Sequence, residues 1–353
     1  MEQVQEKQAG RGANSNPKNR FERLEILVDD EAHQEDRPRL RTRFYDDASE
    51  SIITYNSSPD IPFDASLNPY RGCEHGCAYC YARPTHEYLG FSAGLDFESK
   101  ILVKRRAPEL LKKALSASKW KPQLVAMSGV TDPYQPVERQ LSLTRSCLEV
   151  LLDFRNPVGI VTKNRLVARD ADLLAEMASL DLCNVSVSLT TLNAELARVM
   201  EPRTSSPKGR LETISTLASA GVPVGIMIAP VIPGLNDHEI PAILKAAKEA
   251  GASFATYILL RLPHGVKDVF FDWMDQAYPS QRNKVEGRLR ELRGGQLNRT
   301  EFGERFSGKG IFADQIRQLF QVSLRREGLS SESPTVKTSH FRRAESPQME
   351  WEF

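Results

Sequence analysis

Asn68-Pro69-Tyr70-Arg71-Gly72-Cys73-Glu74-His75-Gly76-Cys77-Ala78-Tyr79-Cys80-Tyr81-Ala82-Arg83 places three of the chain's five cysteines within eight consecutive residues. The spacing is C-x3-C-x2-C, with a glycine just before each of the first two cysteines. Glycine tolerates positive φ and close backbone approach, so this loop can fold back and bring its thiols together. Thiols buried for packing alone would not gather in a loop rich in glycine and charge, and a disulfide would leave one thiol over. Two metal readings remain. An iron–sulfur cubane takes one thiolate per iron, so three cysteines would leave a fourth iron open. A zinc site of the Cys3His type could instead recruit His75 or a distant histidine.

Outward from the loop the sequence alternates short apolar or β-branched runs with amphipathic stretches. A first strand near Ala65 to Asn68 leads into the cysteines. The runs Gln123 to Met127, Val158 to Thr162, Asn184 to Leu189, Val222 to Ile228 and Phe254 to Leu260 come next. Between them, Ala107 to Ala117, Leu141 to Phe154, Ala168 to Leu180, Pro207 to Ala220 and Glu239 to Ala250 carry helical periodicity. Leu211, Ile214, Leu217 and Ala218 recur on one face before Gly221 supplies a left-handed stop. Strands alternating with helices imply a parallel sheet with right-handed crossovers. Six units make an α/β fold, either a partial (βα)6 barrel or an open twisted sheet, over about residues 61–265.

The flanks read differently. Residues 1–60 form a polar arm, expected to be partly disordered, with a short apolar exception at Phe21 to Val28. Residues 266–328 form a helical C-terminal extension, with one charged helix from Phe270 to Leu292 and another from Ala313 to Arg326; the extension is expected to cover the open side of the barrel. Residues 329–353 read as a disordered tail.

The cysteine spacing, with Tyr79 before the last cysteine, resembles the cluster motif of the radical SAM superfamily. The resemblance implies the partial TIM-like barrel, a [4Fe-4S] cluster on Cys73, Cys77 and Cys80, and S-adenosylmethionine (SAM) bound to the open iron. Its chemistry would be reductive cleavage of SAM to a 5′-deoxyadenosyl radical that abstracts hydrogen from a substrate. In parallel α/β architectures the ligand lies at the carboxyl ends of the strands. There the sequence offers Lys163 for SAM's carboxylate, the turn from Ser128 to Thr131 for its ammonium, Ser188 for its ribose, and Tyr79 with Ile228 or Val231 for its adenine. Ser-x-x-Thr-Asp at 128–132, Val-Thr-Lys at 161–163 and Val-Ser-x-Ser-Leu at 185–189 narrow the resemblance to the branch that includes spore photoproduct lyase. In that branch the matching residues contact SAM, which implies Thr131, Lys163 and Ser188 here. The lyase's hydrogen-donating cysteine has no counterpart in Met127 to Gln135, so dimer repair does not carry over. A closer resemblance over nearly the whole chain is to bacterial radical SAM proteins of unassigned reaction, which names no substrate. Tyr134 and Arg261 are the candidates for catalysis, and Glu138, Arg83, Glu201 and Arg203 join them as polar groups expected at the same rim. Cys147 and Cys183 read as core thiols.

Lys plus Arg (47) and Asp plus Glu (46) leave 353 residues with a formal charge of +1, so no global field draws the chain to nucleic acid or lipid. Nucleic acid as substrate stays open through local runs such as Lys104-Arg105-Arg106, as does a zinc-stapled binding module. Without a long apolar run or a leader-like start, a reducing cytoplasm and no membrane are expected. The implied radical chemistry would need a low-potential electron donor such as flavodoxin or ferredoxin.

Overall fold

The computed structural model describes residues 10–21 and 40–343. Among these residues ten strands are formed: β1 (Arg43–Asp46), β2 (Ile53–Tyr55), β3 (Ala65–Leu67), β4 (Tyr70–Arg71), β5 (Lys100–Val103), β6 (Val125–Met127), β7 (Val158–Thr162), β8 (Cys183–Ser188), β9 (Val224–Val231) and β10 (Phe254–Leu259). The larger sheet has the order β10-β9-β8-β7-β6-β3-β2, and every neighbouring pair except β2·β3 is parallel. The six expected strands are therefore β3 and β6 to β10, and they lie side by side in chain order. A doubly wound sheet reverses its strand order midway; one that advances in a single direction keeps all its right-handed crossovers on one face and curls toward a barrel. The fold is a partial parallel barrel.

The crossovers and extension supply α1 (Leu95–Ser99), α2 (Ala107–Ser116), α3 (Glu138–Leu141), α4 (Leu143–Asp153), α5 (Ala171–Ser179), α6 (Ala194–Met200), α7 (Pro207–Ser219), α8 (Ile240–Glu249), α9 (Val266–Ala277), α10 (Pro279–Leu292) and α11 (Ile311–Glu327). On α8, Ile240, Ile243, Leu244 and Ala247 are buried, one apolar stripe against the sheet. Helix α6 is too short to show in periodicity; Asn193 starts it by accepting from the amides of Glu195 and Leu196. The single helix read over Phe270 to Leu292 is two. Tyr278, at φ −143°, cannot hold a helical conformation ahead of Pro279, and the chain turns there. Val266, Phe270, Trp273 and Met274 of α9 and Leu289 of α10 pack with Cys77, Ala78 and Tyr79, so the extension closes over the cysteine loop.

Three further features depart from the sequence reading. A small second sheet, β1-β5-β4, lies outside the barrel units. Part of the arm is integral to the body: Arg11, Ala13 and Asn14 are buried, and the rest of the Phe21 to Val28 stretch after Phe21 lies outside the described residues. The expected tail is also anchored as far as Arg343. The Ala255 amide donates to Ser330 O at 2.8 Å, the Phe341 ring packs 6.3 Å from that of Phe154, and the Arg342 amide donates to Phe154 O at 2.9 Å.

Candidate active site

The cysteine loop leaves β4 and is held by backbone bonds from three directions: Cys73 N to Phe97 O at 3.0 Å, Ala78 N to Met200 O at 3.0 Å, and Arg203 N to His75 O at 3.2 Å. Gly76, at φ +67°, lets the loop reverse. The arm lies directly on this reversal, for a Cβ on Gly12 would stand 1.6 Å from Gly76 O. Arg83 and Glu98, both fully buried, form an ion pair beneath the loop. Arg83 also donates to Cys77 O at 2.8 Å and Gly94 O at 2.9 Å, while Glu98 accepts from the amides of Gly12 at 3.1 Å and Ala13 at 2.8 Å. A buried cation with every bond satisfied inside the protein is scaffold.

All three loop thiols are free. Cys73 and Cys77 are buried, and Cys80 is partly so. Burial, and then the charge of Cys73, pushes the Cys80 thiol up to about 11. His75 is fully engaged: its Nδ1 lies 3.4 Å from Asp132 Oδ2 and its Nε2 3.1 Å from the Asn164 amide. Burial alone would lower its pKa, but Asp132 and Cys73 together raise it to about 10, and both ring nitrogens are taken up by protein partners. Among the described residues no three His, Cys, Asp or Glu side chains surround a single-ion position. A loop of three neighbouring free thiols, with its histidine withdrawn, suits a cubane, whose irons each take one thiolate.

Beside the loop, Lys163 at the end of β7 extends its amino group to Ser188 Oγ at 2.8 Å, Thr190 Oγ1 at 3.2 Å, Ala229 O at 2.8 Å and Glu201 Oε1 at 3.2 Å. Its Nζ lies 5.4 Å from the centre of the Tyr79 ring, whose hydroxyl donates to Glu201. Glu201 is fully buried and also pairs with buried Arg210. Burial would raise its carboxyl pKa, yet Arg210 and Lys163 hold it well below the usual carboxylate range. The strand ends thus bring Tyr79, Lys163 and Ser188 into one network. Thr131 is not in it. Its hydroxyl donates to Gly72 O at 2.7 Å and accepts from Gln135 at 2.9 Å, bracing the base of the cysteine loop, and Ser128 lies half-buried on the same turn. Ile228 and Val231 are buried in the main core.

Most of the expected substrate rim is interior. Tyr134 is fully buried among core side chains, and its hydroxyl donates to Asp170 at 3.1 Å. Its turn folds inward because Thr144 Oγ1 bonds Pro133 O at 2.5 Å. Glu138, also fully buried, accepts from Tyr70 at 2.5 Å and Arg169 at 2.9 Å. Arg203 pairs with Glu74 at 3.1 Å. Glu201 belongs to the Lys163 network. Arg261, after β10, is different: among the described residues its guanidinium makes no hydrogen bond or ion pair with protein, and its buried Nε has no partner. Sequence reasoning missed Arg210, whose only signal was a cation in the first turn of α7, and the Arg11–Asn14 clamp.

Comparison with known proteins agrees with this fold and gives the family. The chain matches the Radical SAM superfamily over residues 67–247. An uncharacterized protein of Mycobacterium tuberculosis is 37% identical over 234 residues, 66% of this chain and 68% of that protein. A protein of Pseudomonas phage M6 named radical SAM Nalpha-GlyT isomerase is 26% identical over 172 residues, 48% of this chain and 34% of that one. Spore photoproduct lyase complexed with dinucleoside spore photoproduct has the same fold, with a TM-score of 0.57 at 18% identity and 78% of each chain covered. No helix among the described residues is long and apolar enough to cross a membrane. The chain belongs to the radical SAM superfamily, as an enzyme that works with a [4Fe-4S] cluster and S-adenosylmethionine.

Proposed function

We propose that Cys73, Cys77 and Cys80 each hold one iron of the cluster, and that Lys163, Ser188 and Tyr79 form the adjoining wall of the SAM site. Held there and reduced by an external low-potential donor of the flavodoxin or ferredoxin kind, the cluster would supply the electron for reductive cleavage of SAM, with Lys163 holding the carboxylate end of the ligand. The observation that carries this is the juxtaposition of three free loop thiols with a lysine whose amino group reaches across three strand ends. Glu201 and the Ala229 carbonyl orient the Lys163 amino group before SAM arrives, and a group preorganised in this way binds a carboxylate at little reorganisation cost. Its position over the Tyr79 ring ties the carboxylate end of the ligand to the loop. Thr131, Gln135 and His75 keep the loop in shape, and α9 shields it from water.

The test is anaerobic reconstitution with iron and sulfide, then incubation with SAM and dithionite. Brown protein that yields 5′-deoxyadenosine is expected. Cys73→Ala, Cys77→Ala and Cys80→Ala should each lose the cluster, whereas Cys147→Ala and Cys183→Ala should keep it. Colourless protein with one bound zinc would end the reading. Lys163→Ala should weaken SAM binding about ten- to a hundredfold while leaving the cluster's absorption intact.

A further inference from the structure

An arginine that no described residue satisfies lies beside the cysteine loop. Leu260 and Leu262, which flank Arg261, pack in the same apolar cluster as Cys77 and Tyr79, with Cys80 against it. Arg261 itself lies over two rings, 5.8 Å from the centre of Tyr81 and 4.9 Å from that of Phe306. Tyr81 directly succeeds Cys80 and is 51% exposed. Two more arginines complete the patch. Arg305 lies over Phe306 at 4.8 Å and Phe302 at 4.9 Å, and pairs with Asp60 at 2.8 Å. Arg293, buried, donates only to the carbonyls of Leu260, Glu304 and Arg305. Two of the three cations therefore have no carboxylate partner among the described residues.

A partly desolvated guanidinium with an orphaned buried Nε is costly unless an anion meets it. Burial and the neighbouring Arg305 both lower the Arg261 pKa, which is the signature of a cation short of counter-charge. The aromatic side chains add a second requirement. Tyr81 and Phe302 (60% exposed) present large ring surface to solvent, Tyr81 where the loop ends and against Arg261, and Phe302 against the neighbouring Arg305. Planar rings stacked between aromatic and guanidinium groups, with phosphates on neighbouring arginines, are the means by which proteins hold unpaired nucleotides. The chain's net charge of +1 is no obstacle, since this recognition is local.

We propose that Arg261 and Tyr81 are the substrate's docking point, and that the substrate is a nucleotide unit: a phosphate on Arg261 beside a base stacked on Tyr81. The binding itself is independent of the proposed radical chemistry; only the fate of the bound nucleotide rests on it. Two sources share this chemistry, a free nucleotide and an unpaired stretch of nucleic acid.

Binding is measured on the full chain by fluorescence anisotropy with a labelled single-stranded oligothymidylate of about eight nucleotides. Thymidine monophosphate is the competitor. The unmodified protein should bind the oligonucleotide. Arg261→Ala should lose about tenfold or more in affinity and reduce the salt slope by about one. Tyr81→Leu should lose a similar factor, while Tyr81→Phe, which keeps the ring, should restore binding. Arg106→Ala, from an exposed basic turn elsewhere, should change nothing. Competition by millimolar monophosphate identifies a free nucleotide as the ligand; its failure to compete identifies a strand. No binding of either probe, or equal losses in Arg261→Ala and Arg106→Ala, overturns the inference. Formation of 5′-deoxyadenosine by the unmodified protein is read separately. A chain that forms it yet binds neither probe refutes only the nucleotide assignment.

Discussion

Glu201→Gln isolates the most highly charged buried feature of the site. The substitution keeps the shape of the side chain and removes its charge, leaving Arg210, 1% exposed at its side chain, without a counter-ion, and Lys163 without its carboxylate. Breaking a buried pair from one side costs about 3 to 5 kcal/mol, because the remaining charge stays desolvated. An unfolding entropy of about 2.1 cal/mol/K per residue amounts to about 0.7 kcal/mol/K for this chain, so Tm should fall by about 4 to 7 °C. Thermal unfolding of the metal-free protein, monitored by circular dichroism at neutral pH, measures this. The double variant Glu201→Gln with Arg210→Met should lose less than the sum of the two single changes, since the second removes the stranded charge. The pH dependence has a definite sign. A carboxyl whose folded pKa lies below its ordinary 4.5 contributes stability that is present above that value and lost as pH falls beneath it. The Tm gap between the parent and Glu201→Gln should therefore narrow in acid. A Tm change under about 1 °C at neutral pH, or strict additivity of the two substitutions, would refute the buried-pair account.

Other consequences are equally concrete. Tyr134→Phe removes one bond to Asp170, whose carboxylate Arg145 and Arg169 continue to hold, so stability should fall by about 1 kcal/mol or less and 5′-deoxyadenosine formation should be unchanged; loss of that activity would return Tyr134 to the reaction. Gly12→Ala forces a methyl into the Gly76 carbonyl, so proteolysis within residues 10–21 should accelerate and iron retained per chain should fall; parent behaviour on both counts would show that the arm is not seated on the loop. Burial holds His86 neutral, with its pKa down at about 4. Its contribution is present above the ordinary 6.5 and is lost as pH falls, which amounts to about 2 kcal/mol at pH 5; His86→Gln should flatten urea-denaturation stability between pH 6.5 and 5, and an unchanged slope would refute it.

The sequence by itself determined the strand units and the gathering of three cysteines in one loop. Strands such as Val158–Thr162 announce themselves through a local apolar run, and the break after each run marks the end of the strand where ligands collect. Three cysteines at fixed short spacing are likewise a local property, as is the polar character of Lys163 and Ser188 at successive strand ends. Side-chain direction is not local. Whether Tyr134, Arg83 and Glu138 face a rim or the interior depends on Asp170, Glu98 and Tyr70, partners 15 to 68 positions away. The same holds for Arg11–Asn14: a polar arm has no apolar pattern to reveal that Glu98, some 86 positions on, will accept its amides and draw it onto Gly76. Only tertiary structure could show that Arg261, alone among the polar groups expected at the rim, has no hydrogen-bond or ion-pair partner among the described residues. An unsatisfied charge is a property of everything that packs around it, and no stretch of sequence contains that information.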